Sequence, residues 1–307
     1  MKNISDLIKQ KAFNLNFDFC GIAPVDELIE EHNYLISWLN KGFHGEMKYM
    51  ENYTDIRKNP ELLLPNAKSI IIVLINYFPK NKINASENFN ISKYAYGKDY
   101  HIVIKSKLQL IVEFINELIP DSKSKIFCDT APIFEKLWAV RSGLGWIGKN
   151  TCLIVPKAGS FFFIGGIITD AALDYDKPMT KNFCGNCTKC IDSCPNKAII
   201  EPYRIDARKC ISYLTIEYKN ISEKISSELL NNSIFGCDIC QDVCPINKKY
   251  AKPSNNDNFG VNPIIFEKTK EDWKNLTGSE FKKIFRDTPF ERAGFKRLKR
   301  NIFSVEQ

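Results

Sequence analysis

Histidine is scarce in this chain of 307 residues, which contains only His32, His44 and His101. A metal site built from several imidazoles is therefore excluded. The longest apolar runs, such as Ile70–Ile75, are strand-sized, whereas a membrane-spanning helix needs roughly 20 apolar residues. Residues 1–10 have neither the hydrophobic core of a signal peptide nor a twin arginine, so we expect a cytoplasmic protein with no membrane partner.

Cysteine, by contrast, is abundant and clustered. One run reads C-x2-C-x2-C-x3-C-P and ends at Pro195, and a shorter run reads C-x2-C-x3-C-P and ends at Pro245. In two-cluster bacterial ferredoxins the first three cysteines of such a run bind one [4Fe–4S] cube and the fourth binds the other. The second run lacks its middle cysteine, and Cys210 is the candidate replacement. The predicted ligand sets are Cys184, Cys187, Cys190 and Cys244 for one cube, and Cys194, Cys210, Cys237 and Cys240 for the other.

Structural zinc and a disulfide framework also use clustered cysteines, but both fit this pattern less well. Paired C-x2-C units bind zinc, but zinc has no use for the C-x3-C-P tail. Disulfides are not expected, because a chain of this length does not need covalent staples. Two [4Fe–4S] clusters are favoured, and the chain is expected to carry electrons. The remaining Cys20, Cys128 and Cys152 are predicted to be reduced, buried and hydrophobic in behaviour.

The hydrophobic pattern predicts an α+β protein in three parts. Residues 1–176 alternate helices and strands, residues 177–250 form the cysteine-rich module, and residues 251–307 read as a polar loop followed by a basic helical tail. Lys68–Tyr77 has the pattern of a strand covered on both faces. The other main predictions are a helix over Tyr100–Leu118, a strand over Lys125–Asp129, a helix over Pro132–Ser142, and a hairpin of Cys152–Val155 with Phe161–Thr169.

The formal net charge of +7 is unevenly distributed. Between Phe281 and Arg300 there are eight basic and two acidic residues. Such a run is either a solvated helix face or a surface that binds nucleic-acid phosphates. The sequence alone leaves both possibilities open.

Two short motifs near the middle of the chain imitate ligand-binding signatures. Gly143–Gly148 matches G-x-G-x-x-G, but a predicted helix precedes it and a strand follows, the reverse of a dinucleotide site. These glycines are therefore expected to form a tight turn or to let backbone approach a flat ligand. Asp99-Tyr-His101 begins like the D-x-H-x-x-G motif of corrinoid proteins, but Ile104 replaces its glycine.

Longer motifs carry a specific resemblance. They are Tyr94-Ala-Tyr-Gly-Lys-Asp-Tyr-His101, Asp129-Thr-Ala-Pro132 with Glu135, Gly143-Leu-Gly-Trp-Ile-Gly-Lys-Asn-Thr151, and Gly236-Cys-Asp-Ile-Cys-Gln-Asp-Val-Cys-Pro245. In this order, from about Phe17 to Asn301, the chain resembles the epoxyqueuosine reductases. The resemblance implies a cobalamin-binding α/β core joined to a ferredoxin-like module with two [4Fe–4S] clusters. It also implies reduction of epoxyqueuosine to queuosine at the wobble position of tRNA, the last step of queuosine synthesis.

The resemblance assigns roles to individual residues. Asp129 is the expected proton donor, with a pKa raised by burial; from the sequence alone it could equally be the N-cap of the following helix, as could Thr130. The expected cobalamin contacts are Arg57, Ser92, Asp129, Leu153, Ile164, Ser212 and Asp238. Many family members have C-terminal helical repeats that help hold tRNA, and this chain resembles the short form. The expected tRNA phosphate contacts are therefore Lys219, Lys296, Arg297, Lys299 and Arg300.

Expected partners are tRNA carrying epoxyqueuosine and a low-potential electron donor of the ferredoxin or flavodoxin type, with the chain itself a monomer. One rival is a reductive dehalogenase, which also joins a corrinoid to two cubes but usually has a twin-arginine signal. A second is an electron-transfer ferredoxin with a fused domain, and a third is an RNA-binding protein whose clusters only brace the fold. Bound corrinoid would give visible absorption bands that iron–sulfur clusters lack.

Overall fold

The computed structural model describes residues 3–81, 83 and 87–306. The strands are β1 (Phe19–Pro24), β2 (Ser69–Asn76), β3 (Asn90–Ile91), β4 (Ser124–Phe127), β5 (Trp146–Ile147), β6 (Leu153–Ile154), β7 (Phe162–Thr169), β8 (Ile199–Glu201), β9 (Arg204–Ile205) and β10 (Ser233–Phe235). The first helices are α1 (Ile4–Asn14), α2 (Ile29–Asn40), α3 (Thr54–Lys58), α4 (Tyr100–Leu118) and α5 (Glu135–Arg141).

The cysteine-rich region contains α6 (Lys189–Asp192), α7 (Ile211–Ile216), α8 (Ser227–Leu230), α9 (Ile239–Asp242) and α10 (Pro245–Tyr250). The C-terminal region contains α11 (Pro263–Glu267), α12 (Lys270–Asn275), α13 (Gly278–Ile284), α14 (Pro289–Ala293) and α15 (Phe295–Val305). Short 3-10 turns cover Lys48–Met50, Pro60–Leu62, Lys93–Ala95, Ala207–Lys209 and Asp257–Phe259. In the described part of the chain, no helix combines the length and the apolar character needed to cross a membrane.

A four-stranded antiparallel sheet in the order β1-β2-β7-β4 organises residues 3–176. Alternate side chains of β2 enter two separate cores, so that Ile71 packs with Ile8 and Ile104 on the α1 and α4 side. On the opposite face Ile72 packs with Trp138 of α5. The prediction of a strand covered on both faces is confirmed, because both sides of β2 are buried under helices.

The predicted hairpin between residues 152–155 and 161–169 is wrong. β6 pairs with β5, while β7 lies between β2 and β4 in the main sheet. The physical reason is close backbone approach at Gly145, where an added Cβ would lie 2.3 Å from the Ile154 carbonyl oxygen. α5 precedes the Gly143–Gly148 motif and β6 follows it, as the sequence predicts, while β5 lies within the motif and pairs with β6.

The C-terminal residues contain the predicted loop up to Asn262 and the predicted helical region after it, and helices α11–α15 form a packed core rather than an exposed tail. Trp273, Phe285 and Phe290 from α12–α14 are fully buried against Phe235 of β10, and the same core includes Phe89. Strand β10 pairs in parallel with β3, which joins this core to the N-terminal part of the chain. Residues 263–305 are therefore an integral helical unit of the fold.

Helix α15 donates hydrogen bonds to the C-terminal end of α7, partly from basic residues that the sequence analysis predicted to contact tRNA. The last carbonyls of a helix have no partner within it, and cations stabilise this end. Arg300 donates to the carbonyls of Leu214 (2.7 Å) and Tyr218 (2.9 Å), and the neighbouring Asn301 donates to Thr215 (2.8 Å). Electropositive side chains of α15 thus close the C-terminal end of α7.

The expectation of four tail contacts to phosphate is therefore corrected. Arg300 is only 6% exposed and its donors are used inside the protein, so it is not a phosphate contact. Arg297 donates to the Ile216 carbonyl and Lys299 to the Lys274 carbonyl, and burial lowers the pKa of both side chains. Lys296 is exposed and stays a predicted tRNA contact.

Replacing Asn301 by alanine is expected to destabilise the protein by about 2–4 kcal/mol. The change removes the donors to two buried carbonyls, those of Thr215 and Ile234. Denaturant unfolding of the variant measures the loss. Lys296→Ala, on the same helix but exposed, is the control and should change stability by less than about 0.5 kcal/mol. Equal effects of the two substitutions would contradict the integral role of α15.

Candidate functional site

Asp129 lies in the loop between β4 and α5, with its backbone in the left-handed region at φ +60°. This conformation is uncommon outside glycine and requires support from its surroundings. The Asp129 N–H donates to the Glu135 carboxylate at the start of α5. Helix α5 begins three residues later than predicted, with Phe134 at its N-cap, so neither Asp129 nor Thr130 caps it.

The Asp129 carboxylate is 45% exposed and faces three donors. Tyr100 Oη donates to its Oδ2 atom at 2.9 Å, His101 Nε2 lies 3.4 Å away, and Arg292 Nη1 lies 3.6 Å away. The other ring nitrogen of His101, Nδ1, is 2.7 Å from Asp99 Oδ1. Because Asp99 is an acceptor, Nδ1 carries a proton and the charged form of the ring places its second proton toward Asp129.

The charges of this group are set by mutual attraction. Burial raises the pKa of Asp129, but the nearby ring and charge of His101, the hydrogen bond from Tyr100 and the charge of Arg292 outweigh burial and lower it below its usual value. Burial lowers the pKa of His101, but Asp129 and Asp99 outweigh that effect and raise it to about 9. The expectation of a raised Asp129 pKa is therefore wrong. At neutral pH the proton resides on His101.

Two further groups beside Asp129 hold protons at neutral pH. Burial, with the nearby charge of Asp129, raises the pKa of Glu135 to about 8. The same two causes raise the pKa of Tyr100. The loop carboxylate is thus an anion surrounded by proton-bearing side chains.

The eight predicted cluster cysteines lie in two groups. Cys190 interacts electrostatically with Cys184, Cys187 and Cys244, and these four line a cavity of about 160 Å³. Lys149 also lines this cavity, and its Nζ donates hydrogen bonds to the carbonyl oxygens of Gly185 (2.7 Å) and Cys187 (3.0 Å). The second group has the same mutual thiol interactions; it consists of Cys194, Cys210, Cys237 and Cys240.

Cys152 was expected to be an inert buried thiol, and the structure corrects this. Cys20 and Cys128 are buried, but Cys152 is half-buried and its thiol lies close to that of Cys240 and interacts with it. The preceding Asn150 also donates to the Cys240 carbonyl at 3.3 Å. No cysteine spacing marks Cys152, because it reaches the second group only through the β5–β6 turn.

The predicted cobalamin contacts fall beside these features. Ser92 Oγ donates to Asp238 Oδ1 at 2.5 Å, and both residues are buried next to Cys237. Ser212 and buried Leu153 lie close in sequence to Cys210 of the second group and to Cys152, respectively. These four residues are therefore linked to the second cysteine group, or to Cys152 beside it, by sequence proximity or by a hydrogen bond.

The remaining two lie on the Asp129 side. Arg57 is 8% exposed and makes only long hydrogen bonds, of 3.4 Å to the Tyr49 carbonyl and 3.5 Å to that of Asn52. The Ile164 carbonyl accepts from Cys128 Sγ at 3.4 Å, next to Asp129. Lys219 has an exposed side chain and stays a predicted tRNA contact.

Residues that sequence reasoning missed complete the site. His101, Tyr100 and Glu135 lie inside the motifs that carried the resemblance, which was the available signal. Arg292 of α14 comes from the C-terminal core and is bonded to Glu217 Oε1 at 2.9 Å. No local pattern connects Arg292 with Asp129.

Comparisons with known proteins agree with this geometry. A family model described as a 4Fe-4S double cluster binding domain matches residues 183–247, and one described as Epoxyqueuosine reductase QueG, DUF1730 matches residues 57–130. An epoxyqueuosine reductase of Leadbetterella byssophila is 47% identical over all of both chains. One of Cellulophaga algicola is also 47% identical, over 97% of this chain and 96% of the relative.

Solved structures give the same result. A crystal structure of epoxyqueuosine reductase with a tRNA-Tyr epoxyqueuosine-modified stem loop has a TM-score of 0.87 at 28% identity, covering 98% of this chain and 80% of that one. The Streptococcus thermophilus epoxyqueuosine reductase has a TM-score of 0.88 at 27% identity, covering 99% of this chain and 81% of that one.

The double-cluster module and the proton-bearing loop define an iron–sulfur oxidoreductase. The identity to relatives over nearly the whole chain makes the assignment specific. The chain belongs to the epoxyqueuosine reductase family.

Replacing Asp99 by asparagine is expected to lower the pKa of His101 from about 9 to about 7–8, because a neutral amide loses the charge attraction. Asparagine still caps α4, so the helix should persist. Proton NMR titration of the three histidine rings measures the change, with His32 and His44 as internal references.

The raised pKa of His101 also makes the stability of the unsubstituted protein depend on pH. A raised histidine pKa stabilises the fold fully below about pH 6.5, and this contribution is lost as pH rises through about 9. Asp99→Asn should shift the upper end of this window downward. A His101 titration near pH 6.5 in both proteins would contradict the assigned ion pairs.

Proposed function

We propose that this chain reduces epoxyqueuosine to queuosine at the wobble position of tRNA. The observation that carries the proposal is the His101–Asp129 proton pair in the same chain as two groups of four cysteines. The relative solved with an epoxyqueuosine-modified tRNA stem loop supports tRNA as the substrate. Removal of the epoxide oxygen consumes two electrons and two protons, forms the carbon–carbon double bond and releases water.

Each cysteine group is proposed to hold one [4Fe–4S] cluster with the ligand sets given by the sequence. Four mutually close thiols are the donor set that such a cluster requires. The cavity lined by Cys184, Cys187, Cys190 and Cys244 is larger than a single ion needs. The clusters pass electrons singly from a low-potential donor of the ferredoxin or flavodoxin type.

Cobalamin is proposed to bind between the second cysteine group and Asp129. Arg57 makes only long hydrogen bonds, Ser92 is hydrogen-bonded to Asp238, and the Ile164 carbonyl accepts from Cys128, next to Asp129. Leu153 and Ser212 are sequence neighbours of Cys152 and Cys210. These residues, with Asp129, are proposed to hold the cofactor. When bound, cobalamin supplies a low-valent cobalt that performs reductive chemistry at carbon, which the protein side chains cannot do.

The protein contributes the proton. His101 Nε2 holds a proton 3.4 Å from Asp129 Oδ2, and Asp99 fixes the ring so that this nitrogen faces the carboxylate. We assign His101 as the reservoir and Asp129 as the group that passes the proton to the departing oxygen. Tyr100 holds the Asp129 carboxylate in place through its 2.9 Å hydrogen bond.

The tRNA is proposed to be held by exposed cations that follow α7 and lie on α15. Lys219 follows α7 and Lys296 lies on α15, and both have exposed side chains. Arg297 and Lys299 are half-buried and engaged with carbonyls, so their share is secondary. The proposed cellular setting is the cytoplasm, with the protein acting as a monomer.

Asp129→Asn tests the function and the proton assignment together. Anaerobically reconstituted protein is incubated with cobalamin, a reductant and epoxyqueuosine-bearing tRNA, and nucleosides are analysed by mass spectrometry. The unsubstituted protein should form queuosine. The variant should keep its iron and the visible bands of bound corrinoid but lose about 10²–10⁴-fold in turnover.

Asp121→Asn is the matched control, because Asp121 also has left-handed backbone (φ +67°) and lies in an exposed loop. It should retain full turnover. A loss below about tenfold in Asp129→Asn would remove Asp129 from the proton path. Absence of any queuosine from the unsubstituted protein, despite intact clusters, would instead support an electron-transfer protein.

The ligand assignment makes a separate prediction for Cys210, which lies outside both cysteine runs. Cys210→Ala should damage the cluster at the second group and leave the first intact, so that iron falls from about eight to about four per chain. Iron and sulfide analysis with electron paramagnetic resonance measures this. Cys20→Ala, a buried thiol elsewhere, is the control. Unchanged iron in Cys210→Ala would exclude Cys210 as a ligand.

A further inference from the structure

Arg292 brings the C-terminal core into contact with the catalytic loop. Its Nη2 donates to Glu217 Oε1 at 2.9 Å, and its Nη1 lies 3.6 Å from Asp129 Oδ2. Tyr49 also lies close enough to the guanidinium to interact with it electrostatically. One side chain of α14 therefore joins the loop after β4 to the end of α7.

The position of Arg292 is set by buried structure on both sides. Phe290, two residues earlier, is fully buried in the C-terminal core. The Asp287 carbonyl just before α14 accepts from the Asp99 N–H at 2.7 Å, so the same segment also supports the residue that orients His101. Since Phe290 anchors α14, the guanidinium is held over the loop rather than reaching it by chance.

Asp129 needs such support because its backbone is strained. A left-handed conformation in a residue other than glycine persists only when several contacts fix it. Within the described residues, the contacts on its carboxylate come from Tyr100 and His101 on α4 and from Arg292. Arg292 is the one that does not belong to the N-terminal part of the chain.

We propose that Arg292 is a positioning residue that holds the Asp129 loop with its carboxylate against His101. The proposal rests on the function proposed above. Its guanidinium forks between two carboxylates, Glu217 and Asp129, a geometry that a lysine ammonium does not reproduce. With both carboxylates engaged, a tRNA phosphate would have to displace one of them. Loss of Arg292 is therefore expected to affect loop order and turnover rather than tRNA affinity.

Arg292→Gln in the cluster-loaded protein tests this directly. Hydrogen exchange of the peptide covering residues 128–134 should become about three- to tenfold faster, because the contact between Arg292 and the Asp129 carboxylate is lost. Turnover with epoxyqueuosine tRNA should fall about tenfold or more, while the tRNA dissociation constant and its salt dependence stay unchanged. Arg286→Gln is the matched control, since Arg286 belongs to the same region and its side chain is 80% exposed.

A double-mutant cycle adds a second criterion. In the Asp129→Asn background, Arg292→Gln should reduce turnover no further, because the carboxylate it positions is gone. Additive losses would overturn the proposal. So would unchanged exchange and turnover in Arg292→Gln, or a weaker tRNA affinity with a salt slope reduced by about one, which marks a phosphate contact.

Loss of iron from the variant and failure of the proposed function are each distinguished from failure of this proposal. If Arg292→Gln does not retain its iron, the Arg292→Lys variant is measured instead. Faster exchange at 128–134 in that variant supports the proposal, and exchange and turnover equal to those of the unsubstituted protein overturn it. If the unsubstituted protein forms no queuosine, the proposed function fails. The exchange measurement still decides whether Arg292 positions the loop.

Discussion

The ionised contact between His101 and Asp129 is the constraint on which the site depends. An isolated carboxylate in this partly buried loop would be disfavoured by desolvation, and so would an isolated imidazolium. Together, with Asp99 behind the ring, each stabilises the charge of the other. The cost is strain at Asp129, whose backbone adopts the left-handed conformation.

That contact is assembled from separate parts of the chain. The main sheet and α4 provide Asp129 and His101, and the C-terminal core provides Arg292. Helix α15 in turn closes the carbonyl end of α7, next to Glu217, which holds Arg292. Residues far from the chemistry therefore determine its geometry through ordinary packing and helix-end hydrogen bonds.

Local pattern predicted what depends on local interactions. The β-branched run of β2 and the bounds of α4 follow from spacing within a few residues, whereas each cysteine group combines residues from both cysteine runs in the arrangement of two-cluster ferredoxins. Local pattern did not predict which strands pair, because β7 pairs with β2 and β4 rather than with its chain neighbour β6. Cys152 and Arg292 were missed for the same reason, since each reaches its partner only after the chain has folded back.

The basic C-terminal run shows a different limit of sequence reasoning. Arg297 and Arg300 look like charges available to a polyanion, yet they satisfy carbonyls of a neighbouring helix. Charge counting does not distinguish these uses, because both need a cation on one face of a helix. Burial decides between them, and burial depends on the aromatic core around Trp273 and Phe290.

The lowered pKa of Asp129 is compatible with its action as an acid once solvent is removed. Without a bound ligand, water and neighbouring charges favour the separated pair, imidazolium and carboxylate. A large ligand that covers the 45% exposed carboxylate removes that water, and desolvation penalises both charged forms together. Transfer of the proton from His101 to Asp129 removes both charges at once. Substrate binding is thus expected to protonate Asp129 for its proposed role, whereas the proton stays on His101 when no ligand is bound.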